Sequence, residues 1–595
     1  MSAFPPSLTV HGFEAMMADP QYANNRLRVT RACDRCKKRK IRCSGFQPCE
    51  TCTDGNHPCA YTAPYTRGRR PPRIQKAQRK GEHELVLSHQ GSAGTSSDGV
   101  VSPELVGTDL AGRLPCRAPV ELAPTDIDGH YLGPASEAAF LLRVQRTLNP
   151  SESFSHVSLG FSLADNPLSL PDFPLQDTIR QEEAAQLMHV FFDYAMPIGQ
   201  FVHRSTVESW IAGLGDPSIC SQSSPRPRKA LLHSMFAIAQ QHMDSTLDAT
   251  NTNPSWRHFA TAELHLSQRQ PPISLTIVQA CLCQCIWLLR ESRINQCWEL
   301  LGVAARHALA IGLHRASCLR QASDYEPLST FWCLYSLDTY LSIALGRPRI
   351  FNDLDIDQDF PHLGEQSVDV EDQPSLSRGC GNAAIPTTVA YFRLSWMIGK
   401  VLRDFYSSYP RSVTEQISLA THHLQYVRNW REEFCNTLAP DDLDPGLTDP
   451  TLLLLRDFLN LVSSHSTILI TRPFLLDKLA SSHGTHRSHT TDEEREVNLC
   501  IDQCKSAALS IIDILSNVDH ADHMVRLFWF TPFIALSAIT VLYSYSACKG
   551  SALAKLDDNC FSAASRCQIL LLSLVREDSL AAKYALLLED LRSEV

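Results

Sequence analysis

Six cysteines near the start of the chain constrain the fold more than any other feature. Cys33, Cys36, Cys43, Cys49, Cys52 and Cys59 have the spacing C-x2-C-x6-C-x5-C-x2-C-x6-C, and the second half repeats the first. The 27 residues they span cannot enclose a hydrophobic core, so ligation or cross-linking must supply the folding free energy. The chain has 21 cysteines, and the other 15 show no repeating spacing. Residues 1–25 carry no Lys or Arg and no long apolar run, so the parts of a secretory signal are missing there. A reducing interior is expected, where clustered cysteines are metal ligands rather than disulfides. Zinc takes four tetrahedral ligands, and thiolates suit it. Two ions need eight ligand positions, and six cysteines fill eight only if two of them bridge. The internal repeat makes the first cysteine of each half, Cys33 and Cys49, the natural bridges. Two independent four-cysteine sites would need eight cysteines, and an iron–sulfur cluster would leave two idle. With every position filled, none remains for a catalytic water, so two structural Zn2+ ions are expected.

Charge is distributed as unevenly as cysteine. The 595 residues carry a formal net charge of −10, which taken alone argues against a polyanion partner. Between Arg26 and Lys80, however, 16 Lys and Arg face three acids, so this block holds +13 and the rest of the chain −23. A compact basic block on an acidic body points to a polyanion-binding module joined to something else. Within the block, Arg35, Lys37, Lys38, Arg39, Lys40 and Arg42 all lie between Cys33 and Cys43. The second half has no base, and carries Glu50 and Asp54. Two Zn2+ with six thiolates leave about −2, which nearby cations also stabilise. The six cations exceed that need. The first half is therefore expected to face the polyanion while the second half completes the fold.

The rest of the chain divides by composition. Residues 1–25 are expected to be a disordered tail, 26–64 the zinc module, 65–80 a basic arm, and 81–177 a mostly disordered linker. The linker contains the run Gly91-Ser-Ala-Gly-Thr-Ser-Ser-Asp-Gly99, and a short apolar patch at Tyr131–Val144 is read as an isolated helix. From about Asp177 onward, helical periodicity dominates. Ala185, Met188, Phe191 and Phe192 fall on one helical face, as do Phe331, Leu334, Leu337, Leu341 and Leu345. Breaks fall at Gly346-Arg-Pro348, Asp353–Asp372 and Gly484–Glu494. The fold class is mostly α: a small zinc module, a linker, a large all-α domain over 178–548, and C-terminal helices over 549–595. Leu527–Cys548 is 22 residues without a charge, long enough to span a bilayer, but it stands alone and lacks a basic flank. It is read as the central helix of a soluble core, with no membrane partner.

Arg31-Ala-Cys-Asp-Arg-Cys-Lys-Lys-Arg-Lys-Ile-Arg-Cys43, with Pro48 in the following loop, resembles the fungal binuclear zinc cluster (Zn2Cys6) transcription factors over Arg31–Tyr61. The resemblance implies a short helix whose end enters the major groove of double-stranded DNA and reads a CGG-type triplet. Arg39 and Lys40 then become the candidates for base contact, since Lys or Arg to guanine O6 and N7 is the commonest specific pairing. Lys37, Lys38, Arg35 and Arg42 are assigned to phosphates. Arg67, Arg69 and Arg70, in Arg67-Gly-Arg-Arg-Pro-Pro-Arg73, are read as a backbone or minor-groove arm, or as part of a nuclear import signal. Ile74–Leu87 shows no sustained heptad, so a zipper is not expected. Dimerisation through the helical domain and monomeric binding both stay open.

Three stretches resemble the middle homology region that accompanies this cluster in fungal regulators: Phe192-Asp-Tyr-Ala-Met-Pro197, Trp298-Glu-Leu-Leu-Gly302 leading to Ala310–Arg315, and Phe331–Pro348 followed by Asp355-Ile-Asp357. This resemblance implies a nuclear regulator of RNA polymerase II genes whose helical domain recruits the transcription machinery or coregulators. It extends to regulators of metabolism and of secondary-metabolite gene clusters. No phosphate loop, nucleophile elbow or paired-histidine motif is present, so an enzyme is not expected. Cys281, Cys283 and Cys285 diverge by about 200° per step on a helix and cannot share a metal. The alternative reading is a metabolite receptor whose helical domain gates DNA binding.

Overall fold

The computed structural model describes residues 33–60 apart from 40, 42, 44–47 and 56, and the helices and linking turns between residues 130 and 594. The chain divides into two compact units, Met1–Asp109 and Leu110–Val595. Among the described residues the secondary structure is helical, with no β-strand.

The first unit contains two short helices, α1 (Asp34–Arg39) and α2 (Glu50–Asp54). The second is a bundle of α3 (Glu137–Leu148), α4 (Gln181–Val190), α5 (Arg204–Ala212), α6 (Arg226–Asp244), α7 (Pro254–Ser267), α8 (Leu275–Arg290), α9 (Ile294–Ala310), α10 (Tyr325–Leu345), α11 (Arg378–Tyr406), α12 (Val413–Leu438), α13 (Pro450–Ser482), α14 (Thr491–Ile514), α15 (Val518–Leu527), α16 (Thr531–Cys548), α17 (Asp558–Leu574) and α18 (Leu580–Glu594). Neighbours in sequence pack as antiparallel hairpins, notably α6 with α7, α8 with α9 and α13 with α14.

Helices that are apolar on every face sit at the centre, as that pattern requires. One is α10, with Leu328–Leu345 buried apart from Cys333, and the other is α16. The α16 helix is the one described helix long and apolar enough to cross a membrane, yet 83% of it is buried against α3, α13, α14, α17 and α18. Several of its polar residues are satisfied: Thr540 donates to the Leu536 carbonyl at 2.8 Å, Ser544 to the Thr540 carbonyl at 2.6 Å, and the Tyr543 hydroxyl to Gln568 at 2.7 Å. An aromatic cluster joins α10, α11 and α13 to the turn before α16. Tyr340 stacks on Phe530 at 4.6 Å, and Phe458 packs on Phe528 at 4.2 Å.

Three expectations change. First, part of the segment read as linker belongs to the core. Leu132, Phe140 and Val144 are buried, and α3 packs against α10, α13, α16 and α18 instead of standing alone. The physical reason is a buried ion pair: Arg472 Nη1 lies 3.1 Å from Glu137 Oε2, and Nη2 donates to the Ala135 carbonyl at 2.5 Å. A close approach adds to it. Gly346 has φ +68, and a Cβ there would fall 2.4 Å from the Gly133 nitrogen, so only glycine lets the Gly346-Arg-Pro348 turn meet the chain before α3. Second, the C-terminal helices, set apart from the 178–548 domain in the sequence, pack on it, because α17 and α18 cover α16. Third, the apolar face near residue 188 is carried by Ala184, Leu187, Met188, Phe191, Phe192 and Ala195, while Ala185 is exposed. A π-helical turn at Phe191–Ala195 rotates this face.

The three breaks also have physical causes. The turn after α10 is held by Asp338, whose carboxylate accepts from the Ile350 amide at 2.9 Å and the Phe351 amide at 3.1 Å. Burial raises its pKa to about 6 against the pull of Arg349 and those amides. In the acidic stretch, Asp353 accepts from the Tyr335 hydroxyl at 2.6 Å and Asp357 pairs with Arg315 at 2.9 Å, so these acids serve the fold. The remainder of that stretch, 362–377, lies outside the described residues. The third break closes at Thr490, whose hydroxyl and Glu493 form a capping box that starts α14.

Candidate metal centre and nucleic-acid interface

The two halves of the cysteine repeat fold alike. The Cys33 amide donates to Cys43 Sγ at 3.4 Å, and ten residues apart in the same way the Cys49 amide donates to Cys59 Sγ at 3.3 Å. Each first cysteine immediately precedes a short helix, α1 or α2. The segments close on each other through the Asp34 amide, which donates to the Ala60 carbonyl at 2.8 Å. Cys33, Cys36, Cys43, Cys49 and Cys52 are buried and Cys59 is half-buried, so the module's interior is sulfur rather than hydrocarbon.

The sulfurs form two groups of four: Cys33, Cys36, Cys43 and Cys49, and Cys33, Cys49, Cys52 and Cys59. Within each group all sulfurs lie within 4.8 Å of one another, and the two groups share Cys33 and Cys49. The shared pair stands 3.8 Å apart. This arrangement fits two tetrahedral ions with two common thiolates. Desolvation opposes ionisation of the Cys33 thiol, but the Cys36 amide and the facing thiols of Cys36, Cys52 and Cys49 outweigh it and lower its pKa to about 6.

The α1 helix has Asp34 in its first turn and Lys37, Lys38 and Arg39 in its last, which matches the helix dipole. Its side chains split into two sets. Cys36 points into the sulfur core, while Lys37, Lys38 and Arg39 are exposed. Arg35 belongs to neither solvent nor core: it is half-buried, with Nη1 4.0 Å from Cys52 Sγ. A guanidinium in this position offsets thiolate charge, a role that sequence reasoning gave to the basic residues collectively but not to Arg35 individually. Lys40, Arg42, Arg67, Arg69 and Arg70 lie outside the described residues.

Two family models match the chain. Residues 31–68 match the fungal Zn(2)-Cys(6) binuclear cluster domain, and residues 188–434 match the fungal specific transcription factor domain. Over these residues the chain is similar to the fungal Zn2Cys6 transcription regulators. Its cluster domain binds two zinc ions, and its relatives are transcription factors rather than enzymes. Among similar proteins is a putative transcriptional regulatory protein of Saccharomyces cerevisiae, 24% identical over 76% of this chain and 60% of its own length. Another is the activator of stress genes protein 1 of Candida albicans, 22% identical over 88% of this chain and 62% of its own length. A third is the terreic acid cluster-specific transcription factor of Aspergillus terreus, 22% identical over 56% of this chain and 55% of its own length. The chain thus spans somewhat under two thirds of the length of these three relatives. No solved structure matches it.

The other cysteines that sequence reasoning weighed behave as core. Cys281, Cys283 and Cys285 are buried in α8, and burial pushes their thiols up, Cys281 to about 12. His465 is buried beside Arg472, and burial followed by that charge lowers it to about 3. Sequence reasoning missed a mostly apolar cavity in the helical unit, because its walls come from four separated stretches that form no motif.

Proposed function

We propose that this protein is a sequence-specific, zinc-dependent DNA-binding regulator of RNA polymerase II genes that works in the nucleus and reads CGG-type triplets. The observation that carries this reading is the exposed cationic end of α1, anchored by Cys36 to a sulfur core built for two ions. Cys33 and Cys49 bridge the two ions; Cys36 and Cys43 complete one ligand set, and Cys52 and Cys59 the other. With the ions bound, the module gains the folding free energy that its 27 residues lack as a core. The α1 helix then presents Arg39 and Lys40 to guanine edges, while Lys37, Lys38 and Arg42 neutralise phosphates. Arg35 divides its charge between the Cys52 thiolate and the DNA. Arg67, Arg69 and Arg70 extend the contact along the backbone. The helical unit recruits the transcription machinery or coregulators and provides any dimer contact.

Fluorescence anisotropy with CGG-containing and scrambled duplexes at one stated salt concentration tests this. Equal affinity for both duplexes removes the specific reading. Relatives named for stress genes and for the terreic acid cluster support a pathway-specific role, in metabolism or in a secondary-metabolite gene cluster. Genome-wide occupancy mapping selects between them.

A second reading, in which a metabolite gates DNA binding, is favoured by one observation: the helical unit holds a cavity walled in part by an arginine that forms no ion pair among the described residues.

A further inference from the structure

Four stretches of the helical unit meet around a cavity of about 310 Å3: the end of α6, the turn between α8 and α9, the α15–α16 junction, and the turn between α17 and α18. That volume is at the lower end of the roughly 300–1,000 Å3 of small-molecule sites. Most of the wall is apolar, with Trp529 and Phe533 as its aromatic surfaces. Charge on the remainder is mostly paired. Arg526 holds Asp522 at 2.7 Å, and Arg576 holds Glu291 at 2.8 Å.

Arg290 is different. Its Nη2 donates to the Ala195 carbonyl at 2.6 Å, its Nε is sealed from solvent without a partner, and no carboxylate of the described residues forms an ion pair with it. Burial lowers its pKa to about 10, which leaves it charged at neutral pH. Gln241 stands in the same wall. Its amide nitrogen donates to Glu291 at 2.6 Å, and its Oε1 is buried without a partner. An orphaned donor and an orphaned acceptor in one cavity wall call for a specific explanation, because buried polar groups are nearly always paired. His242 adds no charge: burial, then Arg290, His523 and Arg526, lower it to about 4 and keep it neutral.

Backbone strain marks the same place. Ser292, on the cavity wall, has φ 59, the one described residue other than glycine in the left-handed region. It ends α8 where glycine is the ordinary choice: its amide donates to Leu289 at 3.0 Å and the next amide, of Arg293, donates to Leu288 at 2.8 Å. Sparsely populated backbone conformations held by the surrounding structure cluster at ligand sites.

We propose that this cavity binds a small monocarboxylate with an aromatic-sized apolar body, the carboxylate on Arg290 and the body against Trp529 and Phe533. One uncompensated positive charge matches one negative charge. A guanidinium pairs with a carboxylate in two parallel hydrogen bonds. A phosphate dianion would bring a second charge into a mostly apolar cavity. The proposal deepens the second reading above, but binding stands on the cavity alone.

The test is calorimetry on the full-length, zinc-loaded chain with 3-phenylpropionate, its neutral amide and inorganic phosphate. Saturable binding of the acid is expected, with the amide at least tenfold weaker and phosphate weaker still. Arg290→Met should weaken the acid at least tenfold and leave the amide unchanged. Should that variant fail to fold, Val575→Phe keeps every charge and fills the cavity, and it should abolish binding of the acid. The proposal is overturned by no saturable binding at millimolar acid, by equal binding of acid and amide, by phosphate binding as well as the acid, or by unchanged binding to folded Val575→Phe. DNA affinity with and without the acid tests gating separately: an unchanged value removes the gating reading and leaves the site.

Discussion

Replacing Arg472 with Met tests whether the chain before residue 150 is part of the regulatory core. The side chain is fully buried in α13 and touches three things: Glu137 at 3.1 Å, the Ala135 carbonyl at 2.5 Å, and the Tyr406 hydroxyl at 2.8 Å. Its guanidinium also lies 5.0 Å from the Phe140 ring centroid. Met preserves most of the volume and the packing on Phe140, so the loss is mainly electrostatic. Removing one partner of a buried pair typically costs about 3–5 kcal/mol, because the other charge stays buried alone. Glu137→Leu should cost the same for the same reason. The double variant should cost only about 1–3 kcal/mol, the scale of the orphaned Ala135 carbonyl, because exchanging both charges for apolar groups is nearly neutral. The coupling energy is then at least about 3 kcal/mol.

Acidity gives an independent check. Burial already raises the Glu137 pKa against the opposing pull of Arg472. Without Arg472 it rises further, so the folded state holds a proton that the unfolded state has released. A raised carboxyl contributes its stability below its unfolded pKa and loses it as pH climbs through the folded value. Arg472→Met should therefore regain stability as pH falls from 7 toward 5, by up to about 1.4 kcal/mol per unit. Urea unfolding followed by circular dichroism on the full chain measures both effects. Additive single costs, or a cost that does not change with pH, would refute the reasoning.

Three further outcomes follow from the same structure. Cys33→Ser should leave fewer than two zinc ions per chain and abolish DNA binding, read by metal analysis after gel filtration, whereas retention of two ions would contradict the bridging assignment. Arg39→Ala should cost about 1–3 kcal/mol on CGG duplexes and little on scrambled ones, while Lys37→Ala should weaken both alike, a contrast that anisotropy resolves. Gly346→Ala should destabilise the helical unit by more than about 2 kcal/mol in the same urea experiment, since it adds left-handed strain to a clash with the Gly133 backbone, which cannot swing aside as a side chain would.

The sequence alone determined the zinc module. Its ligands sit within 27 residues, their spacing is a local property, and a core made of thiols leaves few ways to satisfy two ions. The cationic bias toward one half was equally legible, because it is a count along the chain. The all-α class and the central place of Leu527–Cys548 were readable as well, since apolar surface on every side of a helix has to be covered by protein or lipid. Tertiary structure decided what depends on contacts between distant residues. Arg472 and Glu137 are 335 positions apart, so nothing local showed that α3 docks or that the helical unit begins before residue 178. Arg35 and Lys37 look alike in sequence, and only the fold turns one toward Cys52 and the other toward solvent. The Arg290 cavity is the clearest case. Its wall gathers residues from 241 to 581, and its defining property, a half-buried cation with no carboxylate partner among the described residues, exists only after every neighbour has been placed.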